Sequence, residues 1–203
     1  MSAIFNPGSG RPQIFSHGGG VQGSALCALI VQGRLPKPQA CVIADTGREA
    51  TQVWRYWDDV TRPALEAVGV PCYRIPHSFD GTGYNTIDLM TGRNGDRIAM
   101  PMYTPAVSEK REAQLPKYCS NEWKRRPIER FLRRDLGVRQ ADIWIGFSID
   151  EAATRARFQP EARYRDVYPL IELGVSRAEC IDLVEAMGWG RPPRSACWMC
   201  PYR

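Results

Sequence analysis

Gln13-Ile14-Phe15-Ser16-His17-Gly18-Gly19-Gly20-Val21-Gln22-Gly23-Ser24 is the stretch on which the fold turns. Its first four residues read as a short buried strand. Three glycines follow, and residues 21–32 then show helical spacing, with Val21, Ala25 and Leu29 on related faces. A glycine loop between a strand and a helix suits an anion. Glycine lets the backbone approach closely, and the helix N-terminus offers open N–H groups at a positive dipole end. Ser16, Gln22 and Ser24 can add side-chain contacts, and His17 is a candidate for proton transfer. The loop lacks the Gly-Lys-Ser/Thr ending of a Walker A motif and makes no convincing Gly-x-Gly-x-x-Gly fingerprint. The plainer reading is a tight strand-to-helix turn with no ligand.

Working outward, residues 40–44 form a second apolar strand that ends at Asp45-Thr46-Gly47. Residues 50–68 read as a long amphipathic helix interrupted near Pro63, and residues 72–75 as a third strand. Strands alternating with helices imply right-handed crossovers and an α/β fold, a parallel doubly wound sheet with helices on both faces. Asp45, Thr46, Gly47 and Glu49 then fall at the strand ends where such sheets bind ligands. There Asp45 can accept from a nucleoside or hold a metal through water, while Glu49 can equally serve as a helix N-terminal carboxylate. Residues 77–97 read as an excursion, 98–103 as a strand, and 104–118 as a second loop. A basic helix is expected at 122–136, a strand at 143–147, and a helix at 176–187 with Ser176 as N-cap and Glu179 in a capping box. The expected division is a flexible N-terminus at 1–11, a nucleotide-binding domain at 12–158, and a small helical, cysteine-containing subregion at 159–203.

The 203 residues are 43% hydrophobic and 24% charged, ordinary for a globular chain. No apolar run is long enough to span a bilayer, and residues 1–11 contain no signal-peptide core, so a cytoplasmic protein without a membrane partner is expected. The net charge of +5 suits a nucleotide or nucleic-acid partner. Lys124, Arg125, Arg126, Arg130, Arg133 and Arg134 concentrate it in one segment, either a solvated helix face or an anion-binding surface. Seven cysteines, an odd number, argue against a disulfide framework. Cys27, Cys41 and Cys72 sit in apolar periodic segments and read as core. Cys119, Cys180 and the Cys197-Trp198-Met199-Cys200 pair remain, open to structural zinc, an iron–sulfur cluster or redox chemistry. Trp198 is placed to shield such a site.

Several motifs, in order, carry a resemblance. The glycine loop resembles the Ser-Gly-Gly-Lys-Asp-Ser pyrophosphate loop of ATP pyrophosphatases, and more closely the Gly-Gly-Gly-Val-Gln form of phage and prophage members. Gly18 stands for the first Ser, Val21 for the Lys, Gln22 for the Asp and Gly23 for the last Ser, so a cation and a carboxylate are missing. Asp45-Thr46-Gly47 with Glu49, Cys119 followed by Lys124, Pro127 and Ile128, Gly146 to Glu151 with Arg155, residues 168–172, and Ser195 to Tyr202 are similar to the remaining motifs. The whole resembles the PAPS reductase and adenine-nucleotide α-hydrolase superfamily, with a cysteine order most like the DNA phosphorothioation ATPase.

The resemblance implies ATP or a PAPS- or APS-like sulfonucleotide, with Mg2+, bound by Ser16, Gly18, Gly19, Gly20, Gln22, Gly23, Ser24, Asp45, Thr46, Gly47 and Glu49. It implies catalytic roles for Gln22, Lys124 and Asp150. Cys119, Cys180, Cys197 and Cys200 are implied as ligands of a [4Fe–4S] cluster, with zinc as the alternative. Cys180 is the least tied of the four, and three cysteines with an open iron would also serve. The implied function is nucleotide-dependent sulfur transfer or nucleic-acid modification, with DNA or tRNA as acceptor, a sulfur-donor protein as partner and a homo-oligomeric state. Assimilatory reduction is less favoured, because no counterpart of the reductase's tail cysteine is present. The competing expectation is an inactive nucleotide-binding module with structural zinc, serving a partner protein or nucleic acid.

Overall fold

The computed structural model describes residues 9–76, 103–104, 113–114, 118–157, 159–198 and 200–201. The elements run β1 (Gln13–Ser16), α1 (Val21–Val31), β2 (Ala40–Asp45), α2 (Thr51–Tyr56), a π turn (Trp57–Thr61), α3 (Arg62–Ala67) and β3 (Cys72–Pro76). Two short strands follow, β4 (Tyr103–Thr104) and β5 (Ala113–Gln114), then α4 (Tyr118–Ser120), a second π turn (Asn121–Arg125) and α5 (Arg126–Arg134). The chain continues through β6 (Ala141–Ile145), a 3-10 turn (Ile149–Glu151), α6 (Ala152–Arg155), β7 (Tyr164–Val167), α7 (Pro169–Glu172) and α8 (Arg177–Glu185).

Alternation along the strands sets the layers. Phe15, Cys41, Ile43, Trp144 and Val167 point into one apolar core beside α1 and α8. Ile14, Ala40, Val42, Ala44, Ile75, Ala141, Ile143 and Tyr164 point into the other, against Ile128, Phe131 and Leu132 of α5. A sheet buried on both faces is the parallel case, and the five main strands pair parallel in the order β3-β2-β1-β6-β7. The order reverses between β1 and β6, the kind of switch point beside which open α/β sheets hold ligands. The expected α/β sheet is therefore present. In α1 all residues from Gly23 to Ile30 are buried, as befits a helix covered all round.

The helix at 50–68 is interrupted as expected, by a π turn just before Pro63. Proline donates no N–H and its ring crowds the carbonyl four residues back, so the ladder widens there. The same arrangement recurs before Pro127, where the expected basic helix opens with a π turn. The Ser176 capping box forms as expected. The strand β7 was not anticipated. It pairs with β6, and α8 packs on α1, so these two elements of the expected C-terminal subregion are built into the same sheet and core. Ser9 and Arg11, inside the expected flexible N-terminus, are bonded to Asp142, and Arg11 also reaches the Arg163 carbonyl. The excursion at 77–97 and residues 98–102 of the expected strand lie outside the described residues. Tyr103, the last residue of the expected strand, and Thr104 pair antiparallel with β5, which falls in the stretch read as loop. No helix among the described residues is long and apolar enough to cross a membrane.

Candidate functional site

The glycine loop runs from the C-terminal end of β1 into α1. Gly19 has φ 74°, and a Cβ there would stand 2.6 Å from Val53 Cγ1, so only glycine fits. The N-cap is Gly20, with no side-chain cap and no acidic residue in the first turn, which leaves the leading N–H groups of α1 uncapped by side chains. Ser24 turns inward: it is fully buried and its hydroxyl donates back to the Gly20 carbonyl at 3.1 Å.

His17 is buried beneath this loop against Phe15 and Trp57. Its Nδ1 accepts the Gly19 N–H at 2.9 Å. Burial pulls its pKa down to about 3, so the ring is neutral at ordinary pH and the proton sits on Nε2. His17 thus shapes the loop through the Gly19 N–H.

The other expected loop residues divide. Gln22 donates to Glu151 at 3.0 Å and accepts from Arg177 at 3.3 Å. Glu151 also pairs with Arg155. Asp150 accepts the Arg177 N–H at 2.6 Å, a bond that holds its carboxyl below the usual carboxylate range. It therefore sits as a second cap on α8. Asp45 accepts the Gly47 N–H at 2.8 Å and is clamped by Arg74 Nε at 2.8 Å and by a second guanidinium contact at 2.6 Å. The Arg74 guanidinium in turn lies 3.6 Å from the centre of the Trp54 ring. Arg74 and Trp54 were not anticipated as neighbours of Asp45. β3 and α2 bring them there by tertiary contact, which no local sequence pattern signals.

Lys124 and Glu49 meet across the end of the sheet. Lys124 Nζ donates to Glu49 Oε1 at 2.9 Å, and the Glu49 side chain is only 4% exposed. Burial opposes the charge on Lys124, but the carboxylate outweighs it and holds the ammonium above its ordinary pKa. The second oxygen of Glu49, Oε2, is buried without a hydrogen-bond partner among the described residues. Ser16, His17, Gly18, Glu49, Val53 and Lys124 help line one small cavity of about 70 Å3.

A C-terminal strap closes over this region. Ser195 donates to the Gly18 carbonyl, Glu49 and Cys197 form an isolated antiparallel bridge, and the Trp198 N–H donates to the Arg48 carbonyl at 2.9 Å. Cys197 Sγ lies 3.7 Å from Thr46 Oγ1 and 3.8 Å from Glu49 Oε1. Cys119 is within electrostatic reach of Cys200, Lys124 and Cys197. Burial holds the Cys119 and Cys197 thiols above their ordinary pKa, and Lys124 pulls back on both.

Cys180 does not join these three. It is fully buried in the core under α8, its charged neighbours are Arg177, Asp150, Glu179 and Glu151, and burial pushes its thiol up to about 12. The expected four-cysteine set is corrected on this point: an inward-facing helix position took Cys180 into packing. Among the described residues no group of three His, Cys, Asp or Glu side chains stands ready to hold a metal ion. The four-thiol cage therefore does not fit the arrangement of the described residues. Trp198, expected as a shield, is 58% exposed.

The sheet order, the glycine loop at its switch point and the helices on both faces define the class: the fold is that of PAPS reductase-like α/β proteins. Solved structures share it, two among them as follows. One is phosphoadenylyl-sulfate (PAPS) reductase from Candida auris in a phosphate complex, with 13% identity, a TM-score of 0.57, and 94% of this chain and 83% of that one covered. The other is the U34-tRNA thiolase NcsA from Methanococcus maripaludis with its [4Fe-4S] cluster, with 14% identity, a TM-score of 0.55 and 94% of this chain covered. The chain spans 59% of the thiolase's length. At these identities the likeness establishes the fold. No protein-family model and no curated protein matches the sequence.

Proposed function

We propose that the chain is a nucleotide-dependent sulfur-transfer enzyme that modifies a nucleic acid. The observation that carries this reading is the position of Lys124. The glycine loop has Val21 where a cation is expected, and Lys124 supplies one in the wall of the same cavity as Ser16 and Gly18. The tRNA thiolase among the fold neighbours supports an RNA acceptor.

In this reading the uncapped N–H groups of α1 hold the ATP phosphates. The cavity takes a phosphate-sized group, and the nucleoside lies outward, toward Asp45. An oxygen of the acceptor base attacks the α-phosphorus, the new P–O bond forms, and pyrophosphate leaves with the electron pair of the broken bond. Lys124, a fixed cation, stabilises the charge that develops on the phosphates; its raised pKa makes it an electrostatic group and not a base. Glu49 positions Lys124. A sulfide equivalent from a donor protein then attacks the activated carbon, a C–S bond forms, and AMP departs with the electron pair of the C–O bond. Cys119 and Cys197, both within electrostatic reach of Lys124, are the thiols that meet the donor's sulfide in this reading, without change of oxidation state. The resemblance would have them hold a cluster.

The test is AMP and pyrophosphate release by protein made without oxygen, with ATP, bulk tRNA and sulfide. Lys124→Met should lower turnover about 100-fold or more, and Cys197→Ser should abolish thiolation. Cys180→Ala should leave both thiolation and any bound iron unchanged. Absence of acceptor-dependent AMP release from the wild-type chain would end the proposal.

A further inference from the structure

We propose that an arginine-lined groove between α5 and β7 docks the phosphate backbone of the RNA acceptor, an inference that rests on the reading above. The groove is a cavity of about 410 Å3, and Arg125, Arg126, Arg130, Arg133 and Arg163 line it together with Glu129. Its one carboxylate is already used. Glu129 holds Arg125 at 2.7 Å, and Arg125 is further fixed by Asp166 at 2.8 Å and by the Tyr164 carbonyl at 2.9 Å. Arg126 shares Glu122. Arg133 and Arg163 have no carboxylate partner among the described residues. The groove therefore carries uncompensated positive charge in a concave setting.

The spacing fits a strand. Arg126, Arg130 and Arg133 follow one another at four and three residues on one face of α5. At about 1.5 Å rise per residue they span roughly 10 Å, enough to meet neighbouring phosphates of one strand. The pocket's aromatic ring, Tyr164, is buried with its hydroxyl bonded to the Val138 carbonyl at 2.8 Å, so it offers no stacking platform. That leaves backbone contact, which positions a nucleic acid without reading its bases. The arginines would meet the phosphates of either nucleic acid, and the choice of RNA follows from the reading above.

The groove also connects to the candidate site. Lys124 and Arg125 are successive residues of one π turn, yet Lys124 reaches Glu49 in the nucleotide cavity and Arg125 reaches Asp166 at the groove. The π turn thus contributes one cation to each of the two cavities.

The experiment measures binding of the full chain to fluorescent bulk tRNA across a salt series, with an ATP analogue measured in parallel. Arg133→Glu with Arg163→Glu should weaken tRNA binding about tenfold or more, and should lower the slope of log K against log salt by about two. ATP-analogue binding should stay unchanged, and Arg133→Lys with Arg163→Lys should keep most of the affinity. Unchanged tRNA affinity and slope in the Glu variant would overturn the groove while leaving the enzyme reading intact. Equal affinity of the wild type for duplex DNA of matched length would overturn the assignment to RNA.

Discussion

At the scale of single residues, His17 is the most informative side chain. An imidazole held neutral by burial is charged far more readily in the unfolded chain. The unfolded state therefore binds the extra proton between the ordinary pKa near 6.5 and the folded value of about 3. Stability due to His17 is complete above pH 6.5 and declines as pH falls through that window, with a limiting slope of about 1.4 kcal/mol per pH unit. Urea unfolding at pH 7 and pH 5 should show a clear loss for the wild type. His17→Gln, less stable at pH 7, should lose much less between the two. An equal loss in both proteins would assign the titration to another group. Nucleotide binding should show no step attributable to an imidazole in that range. Lys124 and Glu49 make the opposite point about charge: a buried carboxylate is tolerable when a partly exposed ammonium pairs with it.

At the scale of elements, Gly146 decides how closely β6 approaches the start of α1. A Cβ at that position would stand 3.2 Å from the Gln22 carbonyl carbon and 3.2 Å from the Gly23 nitrogen, both backbone atoms. Gly146→Ala should cost about 1–3 kcal/mol and weaken nucleotide-analogue binding by displacing the first turn of α1. Chemical denaturation and analogue titration on one preparation would check both, and a fully stable variant with normal binding would refute the contact. The strands β1, β2 and β3 and helix α1 were legible because apolar runs and glycine punctuation sit within a few residues of each other. The strand β7 was not, since Arg165 and Asp166 interrupt its apolar character. Its polar middle is explained by Arg165 reaching Asp142 and Asp166 reaching Arg125, contacts 23 and 41 residues away in sequence. The site shows the same limit. The glycine loop, Glu49, Lys124 and three thiols were readable as types in order. That Ser24 turns inward, that Asp150 caps α8 and that Cys180 packs in the core depend on how α1 and α8 are turned about their axes.

At the scale of the whole molecule, Asp142 gathers distant parts of the chain. Its side chain is fully buried and accepts from Arg165 at 2.8 Å, Ser9 at 2.9 Å and Gln13 at 3.0 Å, with Arg11 at 3.2 Å. Burial alone would raise its pKa, but Arg165, Gln13 and Ser9 more than reverse this and hold it below the usual carboxylate range. Its contribution is therefore present above that range and is lost as pH falls through the folded value. Asp142→Ala strands two guanidinium groups and should cost about 3 kcal/mol or more, roughly 6–12 °C in Tm for a chain of this size. A Tm within a degree or two of the wild type would show the network to be dispensable. At the opposite end of the strands, the strap contact joins Gly18 to a serine 177 positions later. During translation the glycine loop leaves the ribosome first and waits roughly 9–35 s, at 5–20 residues per second, for Ser195 and Cys197 to follow. The core beside α1 stays open until Val184 of α8 has been made, shortly before Ser195 and Cys197, so synthesis lets the core and the strap over the glycine loop close almost together.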